Sequence, residues 1–127
     1  ASSKIILGVC LGHQAINLHF GGQLTNLNKV YHGVSSSIDI LDASDPIHQN
    51  HTSLEVGRYH SWVVNKQHFP DCLIATSTDE SGQIMSLRHT SLPIFGIQYH
   101  PESVLTPHGK ELLVNFLYYA EVIHNSF

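Results

Sequence analysis

Gly8-Val9-Cys10-Leu11-Gly12-His13-Gln14 is the stretch that decides the fold of this 127-residue chain, because it sets a cysteine between a strand and a helix. Ahead of it, Lys4-Ile5-Ile6-Leu7 is a short apolar run that reads as a buried parallel strand. Behind it, Ala15 to Phe20 suits a helix, which Gly21-Gly22 stops. Cys10 then falls on the connecting turn with Gly8 and Gly12 two residues to either side, the cysteine form of a G-x-S-x-G nucleophile elbow. A helix N-terminus points N–H groups and positive partial charge at the sulfur, which favours thiolate over thiol. In isolation the same pattern is more simply a buried structural cysteine beside a glycine turn. The rest of the chain decides between the two.

Ninety residues on, Pro93 to Tyr99 reads as another buried strand, and His100-Pro101-Glu102-Ser103 follows it. In an extended segment positions i and i+2 point the same way, so His100 and Glu102 are expected to face one direction. Pro101 disfavours helix at His100. A carboxylate on one imidazole nitrogen fixes the tautomer and leaves the other nitrogen to act on the cysteine. Cys10, His100 and Glu102 thus supply nucleophile, base and orienting group. The residue after an elbow nucleophile donates an oxyanion N–H, here Leu11.

With these motifs the chain resembles the class I, triad-type glutamine amidotransferases. The elbow, then Arg58 to Val64, then Gly96 to Gly109 look like that family's signatures in the right order, and Phe20-Gly21-Gly22 and Tyr31-His32-Gly33 also fit. The likeness runs from Ile5 to about Leu117. It implies an α/β fold, a flavodoxin-like mixed sheet flanked by helices and lacking its N-terminal strands. It also implies hydrolysis of L-glutamine to glutamate and ammonia through a cysteinyl thioester, with no cofactor. By resemblance Gln14 holds the amino-acid end of glutamine, and Ser61 and Trp62 contact it through their backbones. Trp62 stands where leucine is more usual, and Val34 where a lysine is common.

Within the family, Arg58-Tyr59-His60-Ser61 with His100-Pro101-Glu102-Ser103 looks most like the glutaminase subunit (component II) of anthranilate synthase. The corresponding subunit of aminodeoxychorismate synthase is the alternative. The implied partner is the chorismate-binding synthase subunit (component I), which receives the ammonia. Residues 1–127 read as a partial amidotransferase domain, because the family carries a strand and a glycine-rich oxyanion loop before the elbow. That leaves a non-catalytic binding module of the same fold as a second expectation, and a γ-glutamyl peptidase-like cysteine hydrolase as a third.

Composition bounds the reading without making it. One domain is the most that 127 residues suggest, and 42% hydrophobic with 13% charged residues is globular. A net charge of −4 argues against a nucleic-acid partner. No apolar run reaches the length of a membrane span, and the expected location is cytoplasmic. Two cysteines make no disulfide framework, and Cys72 reads as a buried thiol. The 11 histidines raise the question of a metal. The pairs His48 with His51 and Cys10 with His13 lack a recognisable ligand framework, so no metal is expected and surface histidines are the simpler reading.

Elsewhere the pattern predicts strands over Gln23–Val30 and Val34–Leu41 joined near His32-Gly33, and over Leu54–His60 and Trp62–Val64. A hairpin is expected from Leu73–Asp79 and Gln83–His89, with Met85 and Leu87 on one face. A final helix from about Gly109 carries the stripe Leu113, Phe116, Leu117, Ala120 and Ile123.

Overall fold

The computed structural model describes residues 4–125. In chain order the elements are β1 (Ile6–Val9), α1 (Leu11–His19), β2 (Leu24–Asn26), β3 (Val34–Ile40), β4 (Ser53–Arg58), β5 (Trp62–Val64), β6 (Leu73–Asp79), β7 (Ile84–His89), β8 (Ile94–Ile97) and α2 (Gly109–Asn125). Six strands form one mixed sheet in the order β1-β8-β7-β6-β3-β4, with β1 and β8 parallel and the other pairs antiparallel. β2 and β5 make a separate two-stranded antiparallel sheet.

Strand parity sorts the two helices onto opposite faces. Leu7, Val9, Phe95 and Ile97 pack in one cluster with Leu112, Phe116 and Tyr119 of α2. Ile16 and Phe20 of α1 pack in a second cluster with Val64, Leu73, Ile84 and Leu87. Gly8 faces α1, and a Cβ there would stand 2.6 Å from the Gly12 carbonyl carbon and oxygen and 2.8 Å from Ile16 Cδ1. The helix can therefore lie hard against the strand only because position 8 has no side chain. Gly12, by contrast, has open space where a Cβ would go. The packing requirement of the elbow rests on one glycine of the pair.

Several expectations from the sequence are corrected. The first strand lies at Ile6–Val9 and α1 begins at Leu11, so both elements run up to Cys10 with no loop between them. The strand expected over Gln23–Val30 is only Leu24–Asn26; it pairs with β5, and β3 lies between β4 and β6. The turn at His32-Gly33 returns the chain from one sheet to the other, with the Gly33 N–H bonded to the Arg58 carbonyl. The β6–β7 hairpin forms as expected, but Met85 packs in the α2-side cluster and Leu87 in the α1-side cluster. Register shifts at Ala75/Ser77 and Ser77/Thr78 break the two-residue alternation on which the same-face reading relied. On α2 the inward stripe is Leu112, Phe116 and Tyr119, while Leu117 is 64% exposed. Cys72 is a free thiol and only half-buried. Three histidines, His13, His48 and His60, are buried rather than at the surface.

Candidate active site

β1 and β8 run side by side with Val9 opposite Ile97, so the ends of both strands open at the same place. Cys10 follows the first and His100 follows the second by three residues. Cys10 has φ 54° and ψ −100°, a left-handed conformation that costs energy in any residue with a Cβ. Hydrogen bonds on both sides hold it there: its N–H donates to the Ile97 carbonyl at 2.8 Å, and its carbonyl accepts from the Gln14 N–H at 3.1 Å. The strained residue heads α1, and its sulfur makes no capping bond to the helix.

The sulfur is nearly covered. Gln98 Nε2 donates to Cys10 Sγ at 3.7 Å, and the thiol lies 3.9 Å from the Tyr59 carbonyl. Burial pushes the Cys10 thiol above its usual pKa, opposed by hydrogen bonds from the Leu11 N–H and Gln98, and reinforced by the charge of Glu102. Burial thus works against the thiolate that the helix end favours. Desolvation at 8% exposure outweighs what the helix end provides. A base must take the proton before the sulfur can attack.

His100 lines the same cleft as Cys10. Its Nδ1–H donates to Glu102 Oε2 at 2.8 Å, which leaves Nε2 free. The two side chains do not meet along an extended strand as the sequence implied. The Ser103 N–H bonds the His100 carbonyl at 3.2 Å, closing a β-turn with Pro101 at its second position. That turn is tied down by the His100 N–H to the Gly57 carbonyl, by Thr106 Oγ1 to the His100 carbonyl at 2.7 Å, and by the Tyr59 ring, near-perpendicular to the imidazole with ring centres 5.1 Å apart. Behind it α2 begins at Gly109, where a Cβ would stand 1.7 Å from the Pro101 carbonyl oxygen.

A cleft of about 450 Å³ joins these parts, within the usual range for small-molecule sites. Cys10, Leu11, Gln14, Ser61, Trp62 and His100 all line it. Glu102 stands outside, 65% exposed, on the far side of His100. The residues singled out from sequence are thus brought together, and Gln14 also makes contacts within the protein. Its Nε2 donates to the Trp62 carbonyl at 3.0 Å and to Gln98 Oε1 at 3.2 Å. Gln14 therefore begins a relay of amides through Gln98 to the sulfur.

Sequence reasoning missed Gln98, Tyr59 and the network under Ser61-Trp62. Gln98 stands two residues before His100, a spacing that could have found it. Arg58 is 1% exposed; its Nη1 donates to Asp79 Oδ2 at 2.7 Å and its guanidinium lies 3.7 Å from the Tyr31 ring centre. Arg58 Nε donates to His60 Nε2 at 3.0 Å, so His60 Nδ1 carries the proton and donates to the Trp62 carbonyl at 3.0 Å. Burial, with the Arg58 charge beside it, lowers the His60 pKa to about 4. A neutral histidine thereby fixes the backbone at Ser61-Trp62. His48 is enclosed between Asp45 and the Tyr99 hydroxyl, and neither ring nitrogen of the fully buried His13 makes a hydrogen bond.

A strained cysteine at a strand–helix elbow thus opens on the same cleft as a carboxylate-tethered histidine, on an α/β scaffold. The model of the glutamine amidotransferase class-I family matches residues 1–120, and the chain belongs to that family. It is 47% identical over 117 residues to an anthranilate synthase component 2 from Pseudomonas putida, covering 88% of this chain and 59% of that one. It is 42% identical over 120 residues to an aminodeoxychorismate/anthranilate synthase component 2 from Bacillus subtilis, covering 93% and 61%. Among solved structures, a Thermoplasma acidophilum protein ascribed to GMP synthase superposes with a TM-score of 0.82 at 24% identity, covering 94% and 61%, and supports the fold. The chain spans about six-tenths of the length of the curated relatives it matches.

Proposed function

We propose that these residues supply the glutaminase centre of an anthranilate synthase component II, releasing ammonia from L-glutamine for a chorismate-binding synthase subunit. The observation that carries the reading is the strained Cys10 sharing one cleft with His100, whose Nδ1 is held by Glu102. In this scheme His100 Nε2 takes the Cys10 proton as the sulfur attacks the side-chain amide carbon of glutamine. The Leu11 N–H donates to the developing oxyanion. His100 then hands its proton to the departing nitrogen, ammonia leaves and a glutamyl thioester remains. Water attacks the thioester while His100 takes its proton, and glutamate departs as Cys10 regains a proton.

The elevated thiol pKa fits this order, because a sulfur kept protonated until a base is in place is inert towards stray electrophiles. With Gln14 Nε2 committed to Trp62 and Gln98, its Oε1 is the atom that would accept from the substrate ammonium. Ser61 and Trp62 bring backbone groups held in place by His60. Ammonia must pass unprotonated to the next reaction, which calls for a closed contact with the synthase subunit. The same chemistry serves an aminodeoxychorismate synthase equally well, and the Bacillus relative carries both names. No described helix is long and apolar enough to cross a membrane.

The test is glutamate release, in the presence of purified component I of each synthase, by the protein with the family's N-terminal strand and glycine-rich loop in place. Activity with the anthranilate-forming partner, absent in Cys10→Ser, supports the reading. Stimulation only by the aminodeoxychorismate-forming partner would reassign the pathway, and no glutamate release with either would refute the glutaminase assignment.

A further inference from the structure

We propose that His51, His108 and Glu111 form a binding site for a divalent transition ion of the zinc class, outside the catalytic cleft. Two imidazoles and a carboxylate are a donor set such ions take readily. One donor atom from each residue lies within 4.8 Å of the other two. His51 Nε2 already hydrogen-bonds one Glu111 carboxylate oxygen, and His108 Nδ1 stands 3.8 Å from the other. Zinc–ligand bonds of 2.0–2.1 Å put tetrahedral donors about 3.3 Å apart, so small side-chain rotations close the set. The site is reachable from solvent, since His108 is 50% and Glu111 47% exposed. A fourth position is left for water.

The three donors come from two segments that the fold presses together. His51 ends the connection between β3 and β4, and His108 and Glu111 stand three residues apart around the start of α2. Asn115 Nδ2 donates to the Ile47 carbonyl at 3.0 Å, tying that connection to the helix. The Tyr99 hydroxyl donates to His48 Nε2 at 2.5 Å, and the other nitrogen of His48 is held by Asp45, so the segment before His51 is anchored in the core. The scaffold under the donors is therefore built before any ion arrives. An ion here would clamp the β3–β4 connection to α2, whose first residue packs against Pro101 between His100 and Glu102.

The experiment is isothermal titration of the full chain with zinc chloride alone in a non-coordinating buffer. One equivalent is expected to bind, and binding should persist in Cys10→Ser, which removes the alternative of a thiolate site. His51→Ala and His108→Asn should each weaken it by well over tenfold, whereas His68→Asn should leave it unchanged. Cobalt(II) provides a second reading: visible bands of a four-coordinate nitrogen–oxygen site should form on wild type and be lost in His108→Asn. His108 is half-exposed, so that variant keeps the result clear of folding defects if His51→Ala is unstable. Absence of saturable binding, survival of binding in both histidine variants, or its loss in Cys10→Ser would each overturn the proposal.

Discussion

Cys10 combines a strained backbone with a buried sulfur, and both properties bear on how its reactivity is read. A glutamine-directed electrophile should label Cys10 and spare Cys72, even though Cys72 is the more exposed thiol. Peptide mapping decides this, and label found chiefly on Cys72 would contradict the nucleophile assignment. The His100–Glu102 bond is a partner contact made at the surface, with Glu102 65% exposed. Glu102→Gln keeps an acceptor for Nδ1–H and is expected to lower glutaminase turnover about tenfold, against roughly 10²–10⁴-fold for His100→Ala. Equal losses in the two folded variants would give Glu102 a direct chemical part. Asp79 matters for a different reason. Removing it in Asp79→Ala leaves the buried Arg58 charge without its carboxylate, at a cost of about 3–5 kcal/mol seen as a lowered thermal midpoint.

Between β1 and α1 the geometry leaves no slack. Gly8→Ala would push a methyl group into the Gly12 backbone, which cannot swing aside as a flexible side chain can. The expected result is a loss of about 1–3 kcal/mol in stability together with a displaced Cys10 and reduced turnover. Gly12→Ala, with open space around it, should do little to either, and denaturant melts of the pair give the comparison. At this scale the sequence was informative wherever a local rule governed the outcome. The strand–turn–helix around Cys10, the β6–β7 hairpin and the α2 helix follow from apolar runs, turn residues and helical spacing. What escaped was decided by tertiary pairing. Nothing near Leu24 announces that its partner is Val64, 40 residues away in sequence, instead of β3. Nor does the sequence around Met85 announce the register shifts between β6 and β7, one of them at Met85 itself, that go with Leu87 on the other face. The cleft residues follow from motifs, and Gln98 was within reach by its spacing from His100, while the part His60 plays under Ser61-Trp62 is defined only by the packed structure.

For the molecule as a whole, two buried neutral histidines make stability depend on pH. Burial lowers the pKa of His13 to about 3 and, helped by Arg58, that of His60 to about 4, while the unfolded chain titrates each near 6.5. Below about 6.5 the unfolded state therefore binds protons that the native state refuses. Stability should be fully present above that pH and fall by about 1.4 kcal/mol per unit for each histidine, down to about 4 for His60 and about 3 for His13. His60→Gln should remove one proton from that slope in urea melts between pH 6 and 4.5, and an unchanged slope would refute the assignment. The parallel pairing of β1 with β8 has a kinetic consequence as well. Those strands are nearly 90 residues apart, so joining them closes the longest loop in the sheet, whereas β6–β7 needs only a short one. Refolding should therefore restore hairpin signals first and bring Cys10 and His100 together last. Conservative truncations in β1 should accelerate unfolding far more than they slow refolding. The reactive centre would then be the last region to mature and the first to be lost.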